Sequence, residues 1–241
     1  MGPKAAVKAR VSNKVVPHES ATESGGAPRH VVDNTQPSSG GTAFKSNRSE
    51  METYFDKLRL LDKIDNDTVG MKGIAQLMSD INIPNNTIQS YVLLWQFGAS
   101  RNSRLSRSEW VTATYTYNVD GTSQLKLALN EWVSKVGNDK HLFFEMYSFL
   151  YDYLRGEHSR LMTVECAVAA WEVFFPAHKT LVQLVQWLKK EYSGSISRDL
   201  WRQVYFFLQA EENHNIQEPD TTRWPTVLSD FCEWRKTHFK Y

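Results

Sequence analysis

Apolar side chains recur at intervals of three and four residues from Glu50 onward, which is the spacing of one face of an α-helix. Representative sets are Tyr54, Phe55, Leu58 and Leu61; Tyr91, Leu94, Trp95 and Phe97; Phe143, Tyr147, Leu150, Tyr151 and Leu154; and Leu181, Leu184, Val185 and Leu188. No run alternates convincingly with the period of two that a half-buried strand requires. The pattern therefore predicts an all-α protein.

The apolar sets and their flanking residues predict about ten short helices. We expect them near residues 50–62, 71–80, 84–97, 107–118, 122–136, 139–155, 163–174, 178–191, 198–209 and 225–238. Ser106 and Glu109 have the spacing of a capping box, and Ser197 can cap the helix that follows it. Pro84 and Pro225 suit first-turn positions, where the missing amide hydrogen costs nothing.

Residues 1–48 differ in composition from the rest of the chain. They contain seven Lys/Arg against three Asp/Glu and no Trp or Tyr, which is typical of a disordered basic tail rich in Gly, Pro and Ser. The tail is either a solvated spacer or a segment that contacts nucleic acid or a targeting receptor. Residues 49–241 are predicted to form one helical domain, with lobes at about 49–136 and 137–241.

The overall charge and the cysteine count restrict the function and the compartment. The formal net charge is +1, which argues against nucleic acid as a partner of the whole molecule. Two cysteines are too few for a disulfide framework, so a reduced compartment is expected, cytoplasmic and/or nuclear. No apolar run approaches the about 18 residues that a membrane span requires, so no membrane partner is expected.

A search for converging reactive groups argues against an enzyme and predicts no metal site and no cofactor. No histidine pair has a zinc-site spacing, and neither a nucleophile elbow nor a phosphate-binding glycine loop is present. Cys166 lies in an apolar helical stretch and is interpreted as a small core residue. Cys232 is followed by Glu233, whose charge would raise the pKa of the thiol.

The segment that begins at Asp65 starts like a calcium loop, with oxygen ligands at its first and third places and Gly70 at its sixth. However, Val69 occupies the fifth place and Gln76 the twelfth, where a bidentate glutamate is required. A hard cation would lose too many oxygen ligands. We therefore predict a degenerate, EF-hand-like helix–loop–helix unit that does not bind calcium, followed by a second such unit.

The order of landmarks over residues 50–236 resembles the potentiating-neddylation domain of the defective-in-cullin-neddylation family. The landmarks are Val69–Ile74, Leu93–Ala99, Leu105–Trp110, the aromatic helix of Phe143–Tyr153, Val164–Trp171, Trp187, Ile196–Trp201 and Trp224–Trp234. The resemblance implies an N-terminal lobe of degenerate EF-hand-like pairs packed on a C-terminal helical lobe.

The resemblance also implies a non-catalytic scaffold. The C-terminal lobe would bind the winged-helix end of a cullin, and an apolar pocket in the N-terminal lobe would take up the acetylated N-terminal methionine of the neddylation conjugating enzyme. The RING subunit that accompanies the cullin is a further candidate partner. The family's pocket positions fall on Met71, Ile74, Leu93, Leu94, Phe97 and Leu105, all of which are apolar here. These residues could instead simply fill the core.

An Asp, Ala, Asp set contacts the cullin in the family and falls on Asp199, Arg223 and Ser229 here, with Asp230 adjacent. Asp199 matches, and a carboxylate in the first turn of a helix is favoured by the helix dipole. Arg223 and Ser229 do not match, and both changes weaken an acidic surface against a basic partner. Two alternatives therefore stay open: a divergent paralogue with lost or altered cullin binding, and a nucleic-acid-associated protein that uses the basic tail.

Overall fold

A computed structural model gives the fold over residues 49–63, 67–101, 103–156, 159–212 and 224–239. In chain order the elements of these residues are α1 (Glu50–Arg59), β1 (Thr68–Val69), α2 (Met71–Asp80), α3 (Ile88–Gln96), β2 (Leu105–Ser106), α4 (Arg107–Thr116), α5 (Thr122–Asn138), α6 (Lys140–Arg155), α7 (Val164–Phe174), α8 (Lys179–Glu191), α9 (Arg198–Glu212) and α10 (Thr226–His238). The predicted all-α class is confirmed. The predicted basic tail lies outside the described residues, and the domain and lobe boundaries stay predictions.

The side-chain caps predicted for α4 and α9 are present in the structure. The Ser106 hydroxyl accepts a hydrogen bond from the Glu109 amide, and the Glu109 carboxylate accepts one from the Ser106 amide, which confirms the capping box of α4. The Ser197 hydroxyl accepts from the amide of Leu200 at 3.0 Å, which confirms the cap of α9. Pro225 lies immediately before α10 instead of in its first turn.

The predicted start of α3 at Pro84 is wrong. Asn86 has a φ of 54°, a left-handed conformation that cannot continue into a right-handed helix. Thr87 is the actual cap, with a capping box to Ser90, and α3 begins at Ile88. The turn chemistry of the two asparagines between Pro84 and Thr87 therefore overrides the proline signal.

Strands β1 and β2 form an antiparallel pair that the periodicity does not predict. Thr68 pairs with Ser106 and Val69 with Leu105. The pairing joins the loop between α1 and α2 to the loop between α3 and α4, so that two helix–loop–helix units are linked. Strands of two residues are too short to show alternation in a sequence. The comparison of these units with EF-hands stays a prediction.

Trp110 is the centre of the core formed by α1 to α4. Its side chain is fully buried, and its indole N–H donates a hydrogen bond to the carbonyl of Met51 at 3.0 Å. The rings of Phe55 and Phe97 pack against it with centroid distances of 5.6 and 5.3 Å. One tryptophan therefore holds α1, α3 and α4 together by apolar burial and a satisfied polar group.

A hydrogen-bonded aromatic stack joins α6, α7 and α9. The Tyr147 hydroxyl donates to the carbonyl of Trp201 at 2.5 Å and accepts from the indole N–H of Trp171 at 2.8 Å. The indole N–H of Trp201 donates to the carbonyl of Tyr147 at 2.9 Å. The Tyr147 and Trp201 rings lie parallel, with centroids 4.4 Å apart. Burial raises the pKa of Tyr147 well above its ordinary value, so its hydroxyl keeps the proton that it donates.

A buried ion pair between Arg235 of α10 and Glu211 of α9 connects the two helices. Two nitrogens of the Arg235 guanidinium donate to the two carboxylate oxygens of Glu211, at 2.6 and 3.0 Å. The side chains are only 8% and 15% exposed, and the hydroxyl of Thr180 on α8 donates to the same carboxylate at 3.1 Å. Bidentate geometry with an additional donor is the arrangement in which a buried ion pair is best satisfied.

Tyr147→Phe is expected to lower the free energy of unfolding by about 2–3 kcal/mol, because the buried Trp171 N–H loses its acceptor. Urea denaturation followed by tryptophan fluorescence measures this loss. The control is Tyr115→Phe, since that ring is 87% exposed and should change stability by less than about 0.5 kcal/mol. Equal effects of the two substitutions would contradict the role of the stack.

Glu211→Gln is expected to destabilise the fold by about 3 kcal/mol, because Arg235 keeps a buried charge without a matching anion. The matched control is Glu233→Gln, which breaks the exposed pair with Lys236 on α10 and should cost less than about 1 kcal/mol. Thermal or urea unfolding of both variants checks the difference. A loss at Glu211 no larger than that at Glu233 would show that the buried pair is not needed.

Candidate functional site

A cavity of about 370 Å³ lies between α2, α3 and α6. Its apolar wall is contributed by all three helices. The wall residues are Met71, Ile74, Ala75 and Met78 from α2, Tyr91 and Leu94 from α3, and Tyr153 and Leu154 from α6. The volume is within the range of about 300–1,000 Å³ in which proteins bind small ligands and side chains.

The start of α2 is fixed by a side chain from outside the helix. The Asp62 carboxylate accepts hydrogen bonds from the amides of Lys72 and Gly73, at 3.1 and 2.8 Å. Gly73 also permits α2 to pack closely on α1, because an added Cβ would lie 2.6 Å from the carbonyl oxygen of Leu58. Met71, Ile74 and Met78 have the i, i+3, i+7 spacing of one helix face, and this face lines the cavity.

Exposure differs between the mouth of the cavity and its interior. The side chain of Met71 is 68% exposed, whereas Ile74 and Leu94 are 6% and 5% exposed. A flexible methionine at the mouth can adapt to a ligand, and the two buried side chains supply an apolar surface within.

The polar residues that line the cavity carry no charge. They are Asn85, Asn86, Ser90 and Ser103, together with the phenols of Tyr91 and Tyr153. Burial, with smaller effects of Cys166 and Tyr153, raises the pKa of Tyr91 to about 12, and burial also raises the pKa of Tyr153. Both phenols therefore stay neutral at physiological pH. Such a cavity favours an apolar, uncharged group over an ionic one.

The structure brings three of the six predicted pocket residues to this cavity, namely Met71, Ile74 and Leu94. Leu93, Phe97 and Leu105 are instead core residues that are 1%, 3% and 1% exposed, and they do not line the cavity. The assignment of each of the six to a partner contact stays a prediction.

Sequence reasoning missed the contribution of α6 to the cavity. Tyr153 and Leu154 lie in the helix predicted near residues 139–155, to which no pocket residue was assigned, and the packing of α6 on α3 brings them to the same cavity as Ile74. The sequence analysis also did not predict the polar residues at the cavity. A signal for two of them was available, because Asn85 and Asn86 directly after Pro84 indicate a turn at this position.

Three of the four residues predicted to contact a cullin are described, and they lie near the starts of two helices. Asp199 is exposed in the first turn of α9 and forms no ion pair within the described part of the chain. Ser229 is half-buried near the start of α10, where its hydroxyl donates to the carbonyl of Trp224 at 3.3 Å, and Asp230 is exposed. Arg223 lies outside the described residues. The role of these four residues stays a prediction.

The predicted calcium-free loop is only partly described, because Asp65 lies outside the described residues. Asp67 forms an ion pair with Arg107 at 2.6 Å, and the hydrogen bond from this guanidinium lowers the pKa of the carboxyl group. Within the described ranges, no group of three or more His, Cys, Asp or Glu side chains could hold a metal ion. No helix in those ranges is long and apolar enough to cross a membrane.

Both cysteines are thiols with raised pKa values. Burial raises the pKa of Cys232 to about 11, and the charges of Glu211 and Glu233 act in the same direction, as the sequence predicts for Glu233. Burial also raises the pKa of Cys166, whose sulfur lies 3.2 Å from the carbonyl oxygen of Leu154. A thiol with a raised pKa is a poor nucleophile at neutral pH.

Comparison with known proteins gives a family match over part of this helical domain. Over residues 124–234, from α5 to α10, the chain matches the cullin-binding family. The match includes α6, which forms one wall of the cavity, and α9 and α10, which carry Asp199 and Ser229.

The relatives extend the similarity toward the N-terminus. Defective in cullin neddylation protein 1 of Caenorhabditis elegans is 24% identical over 234 residues, which cover 87% of this chain and 79% of that protein. DCN1-like protein 3 of Xenopus laevis is 26% identical over 84% of this chain and 68% of its own length. DCN1-like protein 2 of Dictyostelium discoideum is 25% identical over 70% of this chain and 64% of its own length. The chain is thus similar, at low identity, to proteins of the defective-in-cullin-neddylation family, as its landmarks indicate.

Proposed function

We propose that this protein is a non-catalytic accessory factor that promotes cullin neddylation by holding a cullin and the neddylation conjugating enzyme on one rigid body. The observation that carries the proposal is the uncharged apolar cavity between α2, α3 and α6 in a chain that matches the cullin-binding family. Neither the cavity nor the matched region needs to supply a reacting group, since orientation of two bound partners is itself a source of rate acceleration.

The chemistry of the cavity supports an acetylated N-terminal methionine as the group that the conjugating enzyme inserts. The thioether side chain would be buried against Ile74 and Leu94, which contributes about 1.5–3 kcal/mol for a full side chain. Acetylation removes the charge of the terminal amine. A free ammonium group would lose its hydration in the cavity. Burying it would cost free energy, because the lining residues include no carboxylate to pair with it.

The exposed acids at the starts of α9 and α10 support a basic surface of the cullin winged-helix region as the second partner. Asp199 lies in the first turn of its helix, and Asp230 is close to the start of α10. Opposite charges across an interface steer association and fix its orientation. The RING subunit of the cullin complex is proposed as a further partner, and the cytoplasm and/or the nucleus as the site of action.

A divergent paralogue with weakened or altered cullin binding is the second candidate. The observation that favours it is Ser229, which stands where the family has an acid and whose hydroxyl is bonded to the carbonyl of Trp224 within the chain. In that case the fold and the cavity would be retained, and a different helical partner would replace the cullin.

Met71→Glu is expected to weaken binding of an acetylated N-terminal peptide of the conjugating enzyme by at least about tenfold, because it places a charge at the mouth of an uncharged cavity. Met71 is 68% exposed, so the variant should fold. Fluorescence polarisation with the labelled peptide measures the affinity.

Leu127→Glu is the matched control, since this side chain is 67% exposed on α5 and does not line the cavity. The same peptide without the acetyl group should bind wild-type protein at least about tenfold more weakly. If Met71→Glu and Leu127→Glu bind the acetylated peptide equally, the cavity is not its site.

Ser229→Asp is expected to strengthen binding to a cullin C-terminal domain by about fivefold, and Arg223→Ala should add to the gain, because both changes make the surface more acidic against a basic partner. Ser229→Ala is the control, since it removes the hydroxyl without adding charge. Titration at low and high salt by calorimetry or interferometry measures both effects. Unchanged affinity in Ser229→Asp and in the double variant would refute this account of the patch.

A further inference from the structure

A second cavity, of about 380 Å³, lies where the junction of α5 and α6 meets the connection between α7 and α8 and the last turns of α9. It has no lining residue in common with the first cavity. Tyr91 of the first cavity packs on Phe174 of the second, with ring centroids 5.1 Å apart, so this aromatic pair lies between them. None of the residues assigned to the cullin or the conjugating enzyme lines it.

One side of this second cavity is an aromatic wall that its own packing holds in place. The wall consists of Phe143, Phe174, Phe175 and Tyr205. The ring of Phe143 lies 6.1 Å from Phe174 edge to face, 6.0 Å from Phe175, and 6.0 Å from Tyr205 in a stacked arrangement. Rings fixed against one another offer a preformed surface to a flat apolar group.

The side of the second cavity that carries polar residues contains His178 and Glu212. Their side chains face each other but form no hydrogen bond. His178 Nδ1 accepts a hydrogen bond from the amide of Leu181 at 3.4 Å, so the ring proton of the neutral imidazole is on Nε2. The imidazole is 11% exposed, and among the described residues Nε2 has no hydrogen-bond partner. The nearest carboxylate oxygen of Glu212 is 3.8 Å away, which is beyond hydrogen-bond distance.

The charges on the lining residues balance. The Lys140 ammonium donates to the side-chain oxygen of Gln209 at 3.1 Å, and the Gln209 amide donates to Glu212 at 3.3 Å. One cation and one anion are thus linked through a neutral amide at the edge of the cavity. A ligand with a net charge would disturb this balance, whereas a neutral ligand would not.

We propose that this second cavity binds a small uncharged molecule with an aromatic ring and a carboxamide group. The ring packs on the wall formed by Phe143, Phe174, Phe175 and Tyr205. His178 Nε2 is covered in this structure, so the exposed Glu212 side chain shifts on binding; the carboxamide oxygen then accepts from His178 Nε2, and its NH₂ group donates to Glu212. A carboxamide presents an acceptor and a donor on the same carbon, which is what the unbonded pair on the protein requires. The inference does not depend on the proposed function.

The test uses the full chain and three probes of similar shape, namely benzamide, benzoate and benzylamine, in saturation-transfer NMR titrations. Benzamide should receive saturation at millimolar concentration. Benzoate and protonated benzylamine should bind at least about tenfold more weakly, because each brings an unbalanced charge into the cavity. No saturation transfer to benzamide, or equal transfer to all three probes, would overturn the proposal.

Two variants locate the binding. Gly137 lines the cavity, and an added Cβ there would meet no atom within 4 Å, so Gly137→Trp should block the cavity without disturbing the fold. Gly137→Ala is the matched control and should keep benzamide binding. Circular dichroism confirms folding of both variants. Benzamide binding that persists in folded Gly137→Trp would place the ligand elsewhere and refute the assignment.

Glu212→Gln tests whether the Glu212 carboxylate contacts the ligand. The measured quantity is the preference for benzamide over benzoate, which would not change if Glu212 only supported the fold. Removing the carboxylate should shift the preference from benzamide toward benzoate, since the anionic repulsion is lost while Lys140 and the His178 donor stay. A preference ratio identical to that of the wild-type protein would show that Glu212 does not contact the ligand and would contradict the proposed orientation.

Discussion

The hydroxyl of Tyr147 is the group on which the arrangement of α6, α7 and α9 depends. It is a donor to the carbonyl of Trp201 and an acceptor from the indole of Trp171, and all three side chains are fully buried. Because no water reaches these groups, an unpaired N–H or hydroxyl would cost more than its hydrogen bond contributes in a solvated protein. Any shift of one helix along another breaks at least one of these bonds, so the stack fixes the register of three helices at once.

The position of the first cavity follows from this register. Phe174 packs on Tyr147 and Trp201 with centroid distances of 5.4 and 6.1 Å, and on Tyr91 of α3 at 5.1 Å. The stack therefore positions α3, and with it one wall of the uncharged cavity, relative to α9 and its exposed Asp199. The proposed orientation of two partners would rely on this continuity, because small displacements of bound groups reduce the benefit of proximity.

Local chemistry explains which parts of the structure the sequence predicts. The helix period placed α2 at the residues where it occurs, and the cap at Ser106 followed from its spacing to Glu109. The pairing of β1 and β2 was missed, because two residues per strand show no alternation. At the cavity, the resemblance to a family indicated Met71, but nothing local identifies Tyr153, since an aromatic residue on a helix has the same spacing whether it faces a core or a cavity.

The buried pair of Glu211 and Arg235 has a consequence for the cohesion of the C-terminal helices. The pair joins the last turn of α9 to α10 through buried side chains, so α10 is attached by charge and burial as well as by the chain itself. The pair therefore makes α10 part of the same packed unit as α8 and α9, because Thr180 of α8 donates to the same carboxylate.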